Sequence, residues 1–175
     1  IARSLGLDLV NVDFPSRYGG NIRVYLGKAT GETNVDIEDV LNEEKAYFKK
    51  FEKLNADIKV WCKEKKQLIN DTVAKHGKLK AKAFPGRAAI LIKMLDLSED
   101  QIELVFEKIG SLKVDHFLPG TRIPITDDQR LYDLEDKSKP LLNLAWHISD
   151  EIHGYLSNHG YTGEIIDIIS SKDFS

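Results

Sequence analysis

The sequence predicts an α/β protein: a Rossmann-like domain with a parallel sheet, preceded by a long helical connector and an N-terminal β-hairpin. Residues 7–13 and 21–29 alternate apolar and polar side chains, which is typical of strands that bury one face. Residues 36–77 contain no proline and repeat apolar side chains at steps of three and four. From residue 78 onward short apolar runs alternate with helical segments, an order that favours a parallel sheet with right-handed crossovers.

The N-terminal hairpin is predicted from its two strands and from the residues between them. Ile22, Val24 and Leu26 share one face of the second strand. Pro15, Gly19 and Gly20 interrupt the pattern before that strand, as residues of a connecting loop do. The loop is too long for its turn type to be assigned, so the prediction covers the pairing of the strands and not the geometry of the turn.

The helical connector, residues 30–77, is predicted from a one-sided apolar pattern. Apolar side chains recur from Val40 to Val73, and Lys and Glu occupy the opposite face. Asn55 and Asp57 leave two alternatives open, because these positions are compatible with a break between two helices and with one continuous helix.

Both ends of the connector carry helix-boundary signals. Asn34 or Asp36 can cap the start, because a short polar side chain accepts a hydrogen bond from an unpaired N–H group of the first turn. Gly77 is the predicted end, since glycine readily adopts the left-handed conformation that closes a helix. Lys75 and His76 place positive charge in the last turn, where the helix dipole favours it.

The remaining residues, 78–175, are predicted to form the Rossmann-like domain. The run at 140–147 is almost continuously apolar, as expected for a strand that is buried on both faces. In chain order we predict strands at 78–84, 102–108, 140–147 and 163–169, and helices at 88–97, 127–133 and 150–159, the last of them capped by Ser149.

The bulk composition excludes several classes of protein. The 175 residues carry a formal net charge of -3 with both signs interleaved, so no long-range attraction to nucleic acid or to an anionic membrane is expected. No apolar run is long enough to span a membrane. Cys62 is the single cysteine, so an internal disulfide is excluded, and we interpret it as a packing residue of the helix. An unpaired cysteine suits a reducing cytoplasm, which is the predicted location.

The first candidate site is the predicted turn that carries Gly86 and Arg87. Glycine permits a phosphate to approach the backbone, and arginine adds charge-assisted hydrogen bonds. Beyond Gly86 the glycine-rich dinucleotide fingerprint is missing, and an ordinary strand-to-helix turn is the alternative. Glu107 ends the next strand, at the place where dinucleotide-binding folds put an acid against a ribose hydroxyl. The alternative for Glu107 is a solvated surface position.

Two further segments hold candidate binding residues. The loop 118–125 contains two prolines and a glycine, which would hold Thr121 and Arg122 at a fixed angle; a rigid connector into the next strand is the alternative. Trp146 and His147 come at the end of the buried strand, and ligands of open α/β sheets bind at that edge. For His147 the alternative is a structural role.

Three residues at the start of the last predicted helix raise the question of a metal site. Asp150, Glu151 and His153 are metal-ligand residue types, and helical spacing places Asp150 and His153 on one face. Further ligands at a convincing spacing do not follow, so we predict no metal site in this chain.

Four stretches of the sequence together resemble a known family. They are YGGNIRVYL (18–26), AFPGRAAIL (83–91), LPGTRIPI (118–125), and LLNLAWHISDEI (141–152) with the downstream HGYTGE (159–164). In this order they resemble the C-terminal domain of the sugar C-methyltransferases, which use S-adenosylmethionine and act on nucleotide-activated deoxysugars. The chain departs from the family pattern at Tyr18 and at Gly86-Arg87, so the resemblance leaves the acceptor and the methylated carbon unidentified.

The resemblance implies a parent enzyme of three parts: a zinc-binding segment, a Rossmann-type donor domain, and a second Rossmann-like domain that forms one wall of the acceptor site. Residues 1–29 would be the last hairpin of the donor domain, 30–77 the connector, and 78–175 the acceptor-binding domain. The S-adenosylmethionine site, the catalytic tyrosine and histidine and the zinc ligands would lie upstream, which implies a chain without catalytic residues that is inactive by itself. The acceptor, a nucleotide sugar or a similar small molecule, would contact Gly86, Arg87, Glu107, Thr121, Arg122, Trp146 and His147.

Two other functions remain open. The chain could be a non-catalytic nucleotide- or CoA-binding regulatory module, an alternative that the missing glycine fingerprint disfavours. It could also be an interaction domain whose apolar stripe between Val40 and Val73 pairs with another chain.

Overall fold

The computed structural model describes residues 2–15, 21–28 and 37–174. The chain divides into two compact units, Ile1–Asn55 and Ala56–Ser175. The three-part functional division at residues 29 and 77 stays a prediction.

The first unit contains the predicted hairpin. Strand β1 (Leu7–Asp13) pairs antiparallel with β2 (Arg23–Lys28), and the register shifts between Leu9 and Asn11. The pairing confirms the two alternating segments as strands. Gly19 and Gly20 of the predicted loop lie outside the described residues.

Two helices follow the hairpin, α1 (Ile37–Lys45) and α2 (Tyr47–His76). The interruption lies at Ala46, and α2 continues without a break through Asn55 and Asp57. Of the two alternatives for those positions, the continuous helix is therefore the correct one. The proposed capping residues, Asn34 and Asp36, lie outside the part of the chain that the structure describes.

The second half of α2 belongs to the core of the second unit. Trp61 and Ile69 are buried there, and Cys62 packs against the same cluster. Burial also raises the pKa of the Cys62 thiol, which agrees with a packing role. The helix ends as predicted at Gly77, which has φ +81° and donates its N–H to the carbonyl of Val73 over 2.8 Å.

Within the described residues, five parallel strands form the sheet of the second unit, in the order β5-β4-β3-β6-β7. This is the doubly wound order in which the chain starts in the middle and builds outward in both directions. The strands are β3 (Leu79–Lys82), β4 (Ile102–Glu107), β5 (Ile125–Asp127), β6 (Leu141–Asn143) and β7 (Ile165–Asp167). The helices are α3 (Ala88–Met94), α4 (Gln129–Tyr132) and α5 (Ser149–Asn158).

The structure refines the predicted boundaries in three places. The apolar run at 140–147 is a strand only as far as Asn143, and Trp146–Ile148 forms a 3-10 turn beyond it. Strand β5 is not among the predicted strands, and it overlaps the end of the loop 118–125 and the start of the helix predicted at 127–133. Ser149 does not cap α5, because its hydroxyl donates to Asp167 Oδ2 at 2.8 Å and Ile148 occupies the N-cap position.

The two faces of the sheet carry different helices. Helix α3 and the second half of α2 pack with Ala81 and Val105 on one face. Helices α4 and α5 pack with Phe106 and Leu141 on the other. The chain therefore leaves β3 toward one face and leaves β6 toward the opposite face.

Candidate functional site

A crevice is expected where β3 and β6 lie side by side. These two strands are neighbours, and the chain segments that follow them turn to opposite faces of the sheet. Ligands of open α/β sheets bind at such a switch point, beyond the carboxyl ends of the strands. Gly86 and Arg87 follow β3, and Trp146 and His147 follow β6, so the topology brings these four predicted residues to one edge.

Burial and two charged side chains act on the pKa of His147. Burial lowers the pKa of His147, the positive charge of Arg87 lowers it further, and Glu151 partly opposes both effects. The pKa of His147 therefore depends on the charge of a side chain that follows the neighbouring strand. Trp146 packs against the core and meets the His147 ring edge-on, with the ring centroids 5.4 Å apart.

Glu107 reaches the same edge but points into the protein. Its Oε2 accepts hydrogen bonds from the Phe84 N–H at 3.1 Å and from Lys113 Nζ at 3.3 Å, and its Oε1 accepts from the Lys108 N–H at 3.1 Å. The residue as a whole is 8% exposed. Its observed partners are thus the turn after β3 and a lysine, and a ribose contact by Glu107 stays a prediction.

Thr121 and Arg122 lie at the opposite edge of the sheet. They precede β5. The Arg122 N–H donates over 3.4 Å to Oε2 of Glu99, and Glu99 precedes β4. Because the strands are parallel, residues that precede them share the amino edge. The Thr121 hydroxyl donates to the Leu118 carbonyl at 3.0 Å and so closes its own loop. The structure therefore does not bring this loop into the crevice with Arg87 and His147.

Comparison with known families supports the resemblance seen in the sequence. The family model described as the C-methyltransferase C-terminal domain matches residues 16–166. The chain belongs to this family. No curated protein matches the chain. Family membership connects the chain to methyl transfer to carbon, and in this C-methyltransferase C-terminal domain Arg87 and His147 follow two neighbouring strands at the carboxyl edge.

Sequence reasoning missed a buried polar network beside the carboxyl edge of this domain. Lys82 Nζ, at the end of β3, donates to both carboxylate oxygens of Asp128 at 2.8 Å, and both residues are buried. The Tyr155 hydroxyl donates to Asp128 Oδ2 at 2.6 Å, and its pKa is raised, first by burial and then by this hydrogen bond. In sequence, Lys82 falls on the lysine-bearing face of an alternating strand, a pattern that indicates solvent rather than burial.

His153, one of the three residues of metal-ligand type, lies beside Asp167 of β7. Asp167 accepts hydrogen bonds from Asn143 at 2.7 Å and from Ser149 at 2.8 Å, and its Oδ1 lies 3.3 Å from His153 Nε2. These contacts tie β6, β7 and α5 together. In the ranges 2–15, 21–28 and 37–174, no group of three or more His, Cys, Asp or Glu side chains could hold a metal ion.

The apolar stripe of the long helix divides into a buried and an exposed part. Trp61 and Ile69 are buried inside the second unit, whereas Tyr47, Phe48 and Phe51 are exposed. An interface function for the exposed part stays a prediction. Of the helices that the structure describes, none combines the length and the apolar character needed to cross a membrane.

Proposed function

We propose that the crevice between the carboxyl ends of β3 and β6 binds the acceptor of C-methyl transfer, a nucleotide-activated sugar. The supporting observation is that Arg87 and the pair Trp146 and His147 follow neighbouring strands whose chains diverge there. The sequence resemblance to sugar C-methyltransferases supplies the class of acceptor, and the family match supplies the reaction type.

The chemistry of the crevice suits a diphosphate. The Arg87 side chain is exposed, so its guanidinium can form two parallel hydrogen bonds to phosphate oxygens. Gly86 has no atom within 4 Å of the place where a Cβ would stand, which leaves room beside the backbone. His147, whose pKa is lowered by burial and by Arg87, is a neutral imidazole at pH 7 and can donate one N–H without adding charge.

The turn after β3 does not fit S-adenosylmethionine. The turn after β3 offers Gly86 followed by Arg87 instead of a glycine-rich loop, and the arginine charge would face a cationic sulfonium. We therefore place the methyl donor, and the base that deprotonates the acceptor carbon, in another part of the parent enzyme. It follows from this proposal that the chain by itself is inactive.

The role of the chain is then to orient the acceptor. A base outside this chain removes a proton from the acceptor carbon beside a keto group. This carbon then forms a bond to the methyl carbon, the methyl–sulfur bond breaks, and its electron pair stays on sulfur. Holding the acceptor by its nucleotide diphosphate removes much of the entropic cost of bringing the two reactants together. The expected partners are the upstream donor domain and the acceptor, and a cytoplasmic location stays a prediction.

Calorimetric titration of the chain with a thymidine-diphospho-sugar tests the proposal. Arg87→Ala should weaken binding roughly tenfold or more, because a charge-assisted hydrogen bond is lost. Arg122→Ala is the matched control, since it removes the same charge at the amino edge and should leave affinity within about twofold. Equal losses in the two variants, or tighter binding of NAD or CoA than of the sugar nucleotide, would contradict the proposal.

A further inference from the structure

One residue of the turn that carries Arg87 is held at both ends of its backbone. The Phe84 N–H donates to Glu107 Oε2 at 3.1 Å, and the Phe84 carbonyl accepts from Lys113 Nζ at 2.6 Å. Lys113 and Glu107 also form an ion pair, with Nζ and Oε2 3.3 Å apart. We call this arrangement the Phe84 clamp: the paired side chains of Glu107 and Lys113 on the two polar groups of Phe84.

The clamp acts on a backbone that is otherwise unfavourable. Ala83, directly before Phe84, has φ 59°, in the left-handed region that residues other than glycine rarely adopt. Such a conformation persists only where the surroundings determine it strongly, and it is most common at functional sites. The Ala83 N–H donates to the Phe106 carbonyl at 2.8 Å, so β4 holds the residue on one side and the clamp holds the next residue on the other.

The charges of the clamp strengthen it. Burial by itself raises the pKa of Glu107, but the N–H groups of Phe84 and Lys108 and the charge of Lys113 outweigh burial, and the net pKa is lowered. Glu107 is therefore ionised at neutral pH, and hydrogen bonds to a charged group are about twice as strong as neutral ones. Lys113 is held further by the Phe84 ring, whose centroid lies 5.9 Å from Nζ.

The clamp and Arg87 belong to the same short turn. Only Pro85 and Gly86 separate Phe84 from Arg87, and the proline ring restricts its own backbone. The Ala88 N–H donates to the Pro85 carbonyl at 2.8 Å, which closes the turn directly beyond Arg87. A shift of the Phe84 backbone would therefore move Arg87 relative to His147.

We propose that Glu107 and Lys113 are positioning residues that hold the strained turn after β3 and so place Arg87 at the crevice. Glu107 thus has a different role from the ribose-binding acid of dinucleotide-binding folds, because its carboxylate holds the protein backbone. The expected effect of Glu107 and Lys113 on ligand binding rests on the proposed function. Their effect on the position of Arg87 can be tested without any ligand.

The His147 ring reports the position of Arg87 by NMR. In Glu107→Gln, the loss of a negative charge would by direct electrostatics lower the pKa of His147, whereas release of Arg87 would raise it. We expect the pKa to rise, and we expect no rise when the same change is made in an Arg87→Ala background. A fall, or no change, in Glu107→Gln overturns the positioning role whether or not a ligand binds.

Binding supplies the second arm, with thymidine diphosphate as the probe and conditions under which every variant is fully folded. Lys113→Met should weaken binding roughly fivefold or more relative to the unmodified chain. Lys113→Arg should keep most of the unmodified affinity, and the affinity of Lys108→Met should be within about twofold of it. Lys108 is the matched control because it is exposed and contacts Glu107 through its backbone N–H. Equal affinity of Lys113→Met and Lys108→Met for thymidine diphosphate overturns the proposal. If the unmodified chain does not bind thymidine diphosphate, the result counts against the proposed function, and the pKa of His147 in Glu107→Gln still tests the positioning role of the clamp.

Discussion

Two loops of this molecule look alike in sequence and lie at opposite edges of the same sheet. Pro85-Gly86-Arg87 follows β3, whereas Pro119-Gly120-Thr121-Arg122 precedes β5. In a parallel sheet the residues after the strands gather at the carboxyl edge, and the residues before them gather at the amino edge. A loop reaches the switch point of the sheet only if it follows its strand, whatever residue types it contains.

The two edges also differ in how they use polar groups. At the carboxyl edge Lys82 and Asp128 are buried and fully paired, and Glu107 holds the backbone of Phe84. Toward the amino edge, Lys80 pairs with Glu103 at 3.0 Å, and the two side chains are 24% and 49% exposed. We expect the buried groups to support a precise site and the exposed ones to contribute little.

The largest predicted effect compares these two lysines of β3. Lys82→Met should destabilise the fold by about 3–5 kcal/mol, because it leaves the Asp128 carboxylate buried without its ion-pair partner. Lys80→Met, the matched change two residues earlier, should cost less than about 1 kcal/mol, since its ion pair is solvated. Urea unfolding of both variants measures the difference. Similar urea midpoints for the two variants would contradict the larger contribution expected of the buried Lys82–Asp128 ion pair.

The next effect concerns a glycine at the amino edge. A Cβ at Gly163 would stand 2.0 Å from the Lys139 carbonyl oxygen, so Gly163→Ala must displace backbone. We expect a loss of about 1–3 kcal/mol, the usual cost of overpacking. Thermal unfolding measures this loss, and an unchanged transition would contradict the close approach of the two segments.

The matching change at the carboxyl edge should have the opposite character. At Gly86 a Cβ would meet nothing within 4 Å, so Gly86→Ala should leave stability within about 0.5 kcal/mol. If a diphosphate approaches the backbone there, the added methyl group should weaken binding roughly threefold to tenfold. Loss of stability without loss of affinity would assign Gly86 a structural role.

The smallest effect is a shift in the titration of His147. Because burial and then the charge of Arg87 lower the pKa of His147, Arg87→Ala should raise it, and Arg122→Ala at the far edge should not. Because the pKa of His147 is lower in the folded state than in the unfolded state, its neutral form stabilises the fold above the unfolded-state pKa. This contribution is lost as the pH falls from the unfolded-state pKa towards the folded-state pKa. The loss should therefore be smaller in Arg87→Ala. NMR titration of the ring measures the pKa directly.

The order and type of most elements followed from periodicity and from helix-boundary residues. The alternation at 7–13, the one-sided pattern of α2 and the stop at Gly77 are local properties, and local reasoning found them. Boundaries that depend on tertiary contacts were less accurate: the apolar run at 140–147 stays apolar beyond Asn143 because Leu144 and Ala145 are buried after the strand has ended. Periodicity cannot distinguish these two situations.

The candidate site was predictable only in part. The sequence places Gly86 and Arg87 after one predicted strand and Trp146 and His147 at the end of another, and their role in binding stays a prediction. Lys113 was missed, since nothing near it in sequence indicates that its ammonium reaches the Phe84 carbonyl, 29 positions away in the chain. The loop motif and the family resemblance group Arg122 with these residues, whereas the structure places its loop before β5, at the amino edge.

The central claim is that the acceptor binds at the carboxyl edge, between β3 and β6. Chemical-shift mapping of the isotope-labelled chain during titration with thymidine diphosphate tests it most directly. If the acceptor binds at this edge, the backbone signals of Gly86 and Arg87 and the indole signal of Trp146 should shift together, while the backbone signals of Thr121 and Arg122 stay in place. Shifts confined to Thr121 and Arg122, with the carboxyl edge unaffected, would contradict it.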